Sequence, residues 1–160
     1  MTAIITFYSP SEPYGFCSNF SHHPVDIFGR TWPTSEHAYQ GCKPVDEAMR
    51  DAVHRAYKPA KAAALGRTCQ LRPDWERIVV GSRLSLPGEV RIKDTIMYEV
   101  VKAKFQQNAG IRAELLATGE AQLVEASPRD AYWGWGCNHR GLNKLGLILG
   151  IVRDELRRAV

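Results

Sequence analysis

Four polar side chains that could do chemistry stand together in the stretch Trp32-Pro33-Thr34-Ser35-Glu36-His37-Ala38-Tyr39-Gln40-Gly41-Cys42-Lys43. Pro33 stops any extended segment before it, and Thr34 or Ser35 can cap a short helix by accepting from its free first-turn amides. On that helix Glu36, Tyr39, Gln40 and Lys43 fall at i, i+3, i+4 and i+7, so they share one face. A carboxylate, a phenol, an amide and an amine in a row suit neither a core stripe nor a uniformly charged surface. At a rise of about 1.5 Å per residue, Glu36 and Lys43 are roughly 10 Å apart along the axis. That is too far for a direct ion pair, but both can reach a ligand lying between them. The competing reading is a solvated amphipathic helix.

Two loops add to this set. Ser127-Pro128-Arg129-Asp130-Ala131-Tyr132-Trp133-Gly134-Trp135-Gly136-Cys137-Asn138-His139-Arg140-Gly141 concentrates large aromatics, glycines and arginines. A loop so rich in rings implies a ligand or a tight packing need. Asn143 can cap the helix that follows, and its first amides, with His139 and Arg140 nearby, suit a phosphate. Earlier, Tyr14-Gly15-Phe16-Cys17-Ser18-Asn19-Phe20 mixes aromatics with small and amide residues, a composition for stacking and hydrogen bonding to a flat ring. Aromatics that merely pin this loop to the core are the alternative, and Trp75 is open to the same two readings.

These residues must be positioned by a small chain. Its 160 residues suit one domain, 1–160, and 44% hydrophobic with 24% charged residues is ordinary for a globular protein. No apolar run approaches the ~20 residues that span a membrane. The N-terminus from Met1 to Phe7 lacks a basic region and a cleavage site, so the expected location is the cytoplasm. The cysteines (Cys17, Cys42, Cys69, Cys137) are widely spaced, which predicts reduced, partly buried thiols. His22, His23, His37 and Cys42 match no usual zinc spacing, so neither metal nor cofactor is expected. The formal net charge of +4 permits anionic ligands or nucleic acid without identifying them.

In order, Ile4 to Tyr8 reads as a short buried strand, and Val25 to Trp32 as a hairpin turning at Gly29-Arg30. Asp46 to Tyr57 reads as a helix with Met49, Ala52, Val53 and Ala56 inward, and Pro59 to Leu65 as a second, closed by Gly66 with Arg67 beyond. Arg72-Pro73-Asp74-Trp75 looks like another helix start. Residues 81–89 read as a surface loop. From Val90 to Gln107, Ile92, Ile96, Met97, Val100, Val101 and Phe105 make one apolar stripe with Lys93, Asp94, Glu99 and Lys102 outside. Ile111 to Ala117 is a short helix, Gln122 to Glu125 a strand, and Leu145, Leu149, Val152 and Leu156 mark a last helix running to the C-terminus.

The sequence resembles the YbiA-like proteins of the NADAR superfamily. The resemblance is carried by Tyr14-Gly15 with Ser18-Asn19-Phe20, the Trp32 to Gln40 run with Lys43, Gly66-Arg67, Asp74-Trp75 and Ala103-Lys104-Phe105. It continues through Leu123-Val124-Glu125, Asp130-Ala131-Tyr132-Trp133-Gly134, and Gly141 with Asn143, Leu145 and Gly146. The residues at 78–90 look like an extra loop, and Trp135 stands where the family often has an acid.

The resemblance implies an α+β, predominantly helical single domain with a few short strands. It also implies cleavage of an N-glycosidic bond at a ribose carbon. Two substrates are associated with the family: ADP-ribose on a guanine of DNA or RNA, whose removal counters an ADP-ribosyltransferase toxin, and ribosylamino-pyrimidine phosphates of early riboflavin biosynthesis. A non-catalytic module binding NAD or ADP-ribose is a third reading. Such cleavage needs a carboxylate to stabilise a cationic ribose carbon and a proton donor for the leaving nitrogen. Glu36, expected ionised at its helix N-terminus, and Asp130 fit these roles. Lys43 is the third catalytic candidate, through an imine if burial lowers its pKa. Tyr14, Phe20, Trp75 and Trp133 with Gly134 would flank base and ribose, Asn19 would read a polar edge, and Arg67, Arg140 and the amides from Gly141 to Lys144, around Asn143, would take phosphates.

Overall fold

The computed structural model describes residues 3–159. Met1 and Thr2 of the N-terminal reading, and Val160 at the predicted end of the last helix, lie outside the described residues. The fold is α+β and mostly helical: α1 (Ser35–Gly41), α2 (Glu47–His54), α3 (Pro59–Thr68), α4 (Ile92–Gln107), α5 (Ala109–Ala117) and α6 (Lys144–Arg158) accompany two small sheets. In the first sheet, β1 (Ile4–Phe7) runs parallel to β4 (Gln122–Glu125), with Phe7 opposite Glu125. β1 is less buried than expected: Ile4 is 60% exposed and Phe7 is its one buried residue. The second is the expected hairpin of β2 (Val25–Ile27) and β3 (Arg30–Trp32). Its turn falls at Phe28-Gly29, one residue before the expected Gly29-Arg30, because both residues take positive φ and so match the twist of the flanking strands. No helix among the described residues is long and apolar enough to cross a membrane.

The core lies where α4 and α6 pack together, with Met97, Val100, Val101 and Phe105 facing Leu145, Ile148, Leu149 and Val152. On its other side α4 meets α1, of which every residue is buried, so the solvated-helix reading is overturned. Thr34 caps α1 by accepting from the His37 amide, and the His37 ring bridges the Thr34 hydroxyl (2.8 Å) and the Ala56 carbonyl (3.0 Å). Four expectations about local structure need correction. α2 is shorter than 46–57, because Asp46 caps it through the Met49 amide, and Val53 is its one fully buried residue. Gly66 lies inside α3 rather than ending it: a Cβ there would sit 1.9 Å from Gln40 Oε1, so the glycine admits Gln40 against the helix. Residues 72–77 form turns instead of a helix, since Asp74 accepts two bonds from the Arg72 guanidinium (2.6 and 2.9 Å). Asp94, assigned above to the outer face of α4, is fully buried.

Asp94 is buried because it has partners. Lys144 donates to it at 2.9 Å and the Tyr132 hydroxyl at 2.7 Å, while its second oxygen also accepts the Arg91 amide and so caps α4. Lys144 donates further to the Glu89 carbonyl and the Tyr132 hydroxyl. One ion pair thus ties α4, α6 and the aromatic loop together. Lys104, also buried, donates to the Phe16 and Ser18 carbonyls (2.6 and 2.9 Å) and to Ser21 Oγ (2.7 Å), fastening the loop at 14–20 to α4.

Breaking a buried ion pair from one side strands the other charge, at a cost of about 3–5 kcal/mol. Urea unfolding of Lys144→Met should show a loss of about that size. The double variant Asp94→Leu with Lys144→Met should lose less than Lys144→Met alone. Additive losses would mean that the pair is not coupled.

Candidate active site

A cavity of about 540 Å³ opens between α1, α3, the end of β4 and the loops at 8–10 and 18–20. α1 supplies Glu36, Tyr39 and Gln40, and Lys43 follows just beyond its end. This face can be both polar and buried because its members satisfy one another: Gln40 Nε2 donates to Glu36 Oε1 at 2.8 Å. Ser35 donates to Asn19 Oδ1, and the Asn19 carbonyl accepts the Glu36 amide, so α1 and the first loop hold each other in place. Glu125 enters from the end of β4, Arg67 from α3, and Asp130 and Trp133 from the aromatic loop. Asp130 Oδ1 accepts the amides of Tyr132 and Trp133, both at 2.8 Å, which fixes the loop around it. The Trp133 ring stands edge-on to Tyr39, 5.5 Å between centroids.

Burial sets the electrostatics. It raises the Glu36 carboxyl above the usual range, opposed by the Gln40 bond and the nearby charges of Lys43 and Arg67. The expectation that a helix N-terminus keeps Glu36 ionised is overturned in direction, because desolvation is the larger effect. Glu125 is pushed up to about 8, by burial first and then by Asp130 and Glu36. Lys43 moves the other way: burial lowers it, and Glu36 only partly offsets this. Neither Lys43 nor Arg67 joins an ion pair among the described residues. The Lys43 amine faces rings instead, 5.4 Å from the Tyr39 centroid and 5.8 Å from that of Trp75.

The cavity brings together Glu36, Lys43, Asp130, Asn19, Phe20, Arg67 and Trp133 of the residues singled out in the sequence. Trp75 lines an adjoining hollow. The remaining residues lie elsewhere. Tyr14 is exposed over a separate depression, and Arg140 is exposed on the loop, its amide bonded to Asn138. Asn143 is buried, bridging the Glu125 amide and the Leu123 carbonyl, so it joins α6 to β4. Gly134 is a packing position, since a Cβ would lie 2.7 Å from the Glu125 carbonyl. The phosphate cradle expected from Gly141 to Lys144 is also overturned. Those amides donate to the carbonyls of Trp135, Ala131, Gly134 and Tyr132, so the glycines serve a self-bonded loop.

Glu125 was quoted above only within the Leu123-Val124-Glu125 stretch and was given no role in the site. Its signal is weak: an acid ending a strand reads as exposed until the neighbouring loop folds over it. Among the described residues no group of three or more His, Cys, Asp or Glu side chains is placed to hold a metal ion.

The NADAR domain profile matches residues 6–157. The N-glycosidase YbiA of Shigella boydii is 43% identical over 155 residues, covering 96% of this chain and 88% of that protein. The riboflavin biosynthesis protein VVA0006 of Vibrio vulnificus is 39% identical over 96% of this chain, the match taking up 38% of that longer protein. The NMR structure of Escherichia coli YbiA superposes with a TM-score of 0.83 at 41% identity, covering 99% of this chain and 88% of that one.

Burial, with Asp130 and Glu36 nearby, pushes the Glu125 carboxyl up to about 8, which favours its protonated form at neutral pH. If it is the acid, the rate profile should fall on its alkaline side near that value. Glu125→Gln should lower kcat by roughly 10²–10⁴-fold and remove that limb. An unchanged limb in the variant would assign it to another group.

Proposed function

The chain belongs to the NADAR domain family and is a hydrolase of N-glycosyl bonds, and we propose that its substrate is ADP-ribose attached to guanine in nucleic acid. The observation that supports this most is the meeting of Glu36, Glu125, Asp130 and Lys43, which has no ion-pair partner among the described residues, around one hollow walled by Tyr39 and Trp133. Those groups match the demands of cutting a ribose–nitrogen bond: acids near the leaving nitrogen, negative charge near the sugar carbon and a nucleophile between. A second hollow of about 430 Å³ adjoins the first, sharing Tyr39, Lys43, Arg67, Asp130 and Trp133 with it. The net charge of +4 suits a nucleic acid carrying the modified base.

The steps follow from the residues. The Lys43 amine, pushed toward its neutral form, adds its lone pair to the ribose carbon as the carbon–nitrogen bond breaks. That bond's electron pair leaves with the base, whose nitrogen takes the Glu125 proton. The proton lost by the attacking amine passes to a neighbouring carboxylate, Glu36 or Asp130. The nitrogen lone pair then forms the C=N bond of an imine on Lys43 as the bond to the ring oxygen breaks, and that oxygen takes the proton held by Glu36 or Asp130. Water then adds to the imine carbon, releasing the sugar as its aldehyde and restoring the amine. ADP-ribose and unmodified guanine are the products, and a toxin that attaches ADP-ribose would be the functional counterpart.

The riboflavin-pathway reading, the same chemistry on a smaller substrate, is favoured by the name of the Vibrio relative. A purely binding role is set aside, since the relatives that share the fold and most of the chain are N-glycosidases.

Side-by-side incubation with DNA bearing ADP-ribosylated guanosine and with the ribosylamino-pyrimidine phosphate should show faster release from the first. Preference for the pyrimidine would replace the proposal with the second reading. Borohydride added during turnover should attach the sugar to Lys43, and Lys43→Arg should lose the adduct with about 100-fold or more of the rate. An active Lys43→Arg enzyme without adduct would leave direct attack by water as the route.

A further inference from the structure

The two oxygens of Glu36 are treated differently. Oε1 accepts Gln40 Nε2 at 2.8 Å. Oε2 accepts nothing among the described residues, and it is not shut away as Gln40 Oε1 is. The amide that holds Oε1 is itself wedged in place. Gln40 is buried, and a Cβ on Gly66 of α3 would lie 1.9 Å from its Oε1, 2.8 Å from its Cδ and 3.2 Å from its Cβ. Any side chain at 66 would therefore move the amide off its seat. Which way round the amide sits follows from Glu36. Turned over, it would set a carbonyl oxygen against an ionised carboxylate, two acceptors with no proton between them. As it stands Gln40 Oε1 goes without a partner, and the bond to a charged group offsets that unfavourable burial.

We infer that Gln40 is a positioning residue for the reaction: seated by Gly66, it occupies Oε1 of Glu36, fixes the carboxylate plane and leaves Oε2 as the oxygen that takes the proton of the attacking amine. This rests on the reading above, in which Glu36 is a proton-accepting carboxylate, and assigns each of its oxygens a task. A carboxylate must be ionised to accept a proton, and burial works against that. The Gln40 bond opposes burial ahead of the charges of Lys43 and of Arg67 on α3, while Asp130 of the aromatic loop acts with burial. Glu125 at the end of β4 and the Tyr39 phenol on α1 also face Glu36, and its charge raises both. An amide lends its donor without titrating itself, so its help is the same at every pH.

Carboxyl 13C NMR follows Glu36 directly, with Glu36→Gln identifying its resonance. Gln40→Met keeps the length of the side chain and removes the donor. Gly66→Ala pushes the amide aside and leaves the sequence of α1 intact. Thermal melting checks that both variants are folded. In each, the Glu36 titration should move to higher pH. Turnover at neutral pH of the faster of the two substrates compared above should fall about tenfold, the worth of one hydrogen bond to a charge. In a Glu36→Gln background, Gln40→Met should cost less than about a further twofold, because it acts through an acid already lost. A Glu36 titration unmoved in folded Gln40→Met, or the full loss repeated in the Glu36→Gln background, would overturn the inference. Failure of the reading it rests on looks different: Glu36→Gln then keeps full turnover, while the titration still moves in both variants.

Discussion

The site depends on a charge pair that never meets its ligand. Lys144 and Asp94 are both buried, on α6 and α4, and the Tyr132 hydroxyl completes the cluster. Taking two charges out of water is unfavourable unless each finds several partners. Here the partners come from four segments: the Glu89 carbonyl, the Arg91 amide, Tyr132 and the two charges themselves. The electrostatic need of the core therefore fixes where the aromatic loop lies. Asp130 and Trp133 belong to that loop, so their places in the cavity follow from the pair. Lys104 does the same for the opposite wall, holding the carbonyls at 16 and 18 and thereby Asn19 and Phe20. Burial lowers its pKa to about 7, while three acceptors around its nitrogen favour the ammonium form.

Between these walls, α1 shows how a polar helix can be interior. Its side chains bond to each other and to the loop at 19, leaving few groups wanting water. Close approach makes this possible. A Cβ at Gly41 would lie 2.2 Å from the Trp32 ring, and one at Gly66 would displace Gln40. Gln40 Oε1 is buried against Gly66 of α3 and remains without a hydrogen-bond partner among the described residues.

The sequence made plain what local periodicity and capping determine. The apolar stripes of α4 and α6, the Thr34 cap and the hairpin over Val25 to Trp32 each follow from a few neighbouring residues. So does the shared face of Glu36, Tyr39 and Gln40, whereas Lys43, expected on the same helix, follows its end; the family resemblance joined these residues to Asp130. Hidden were features that arise only when distant segments meet. Asp94 sits among charged neighbours on the polar side of its helix, and nothing local says that Lys144 will come to it from α6. Glu125 looks like a strand end until the loop covers it. The glycines before α6 look like a phosphate cradle because free amides and self-bonded amides have the same composition. At Arg72 to Trp75 the helix-start signals were present, but a side-chain bond between Arg72 and Asp74 claimed the acid first.

Burial of this hollow has one further consequence. Removing water penalises every charged form, so the same environment raises the carboxyls and lowers the amine. Acid and nucleophile are thereby moved toward neutral forms by one cause, with no need for a separate device for each. An acid that holds its proton near pH 7 and an amine that can shed one are the two states that cleavage of a ribose–nitrogen bond requires. Their mutual attraction works against this: Glu36 draws Lys43 back toward its charged form, and Lys43 draws Glu36 toward its own. Lys43 follows beyond the end of α1, and no ion pair joins the two among the described residues, which limits that pull. A closer pair would form an ordinary salt bridge.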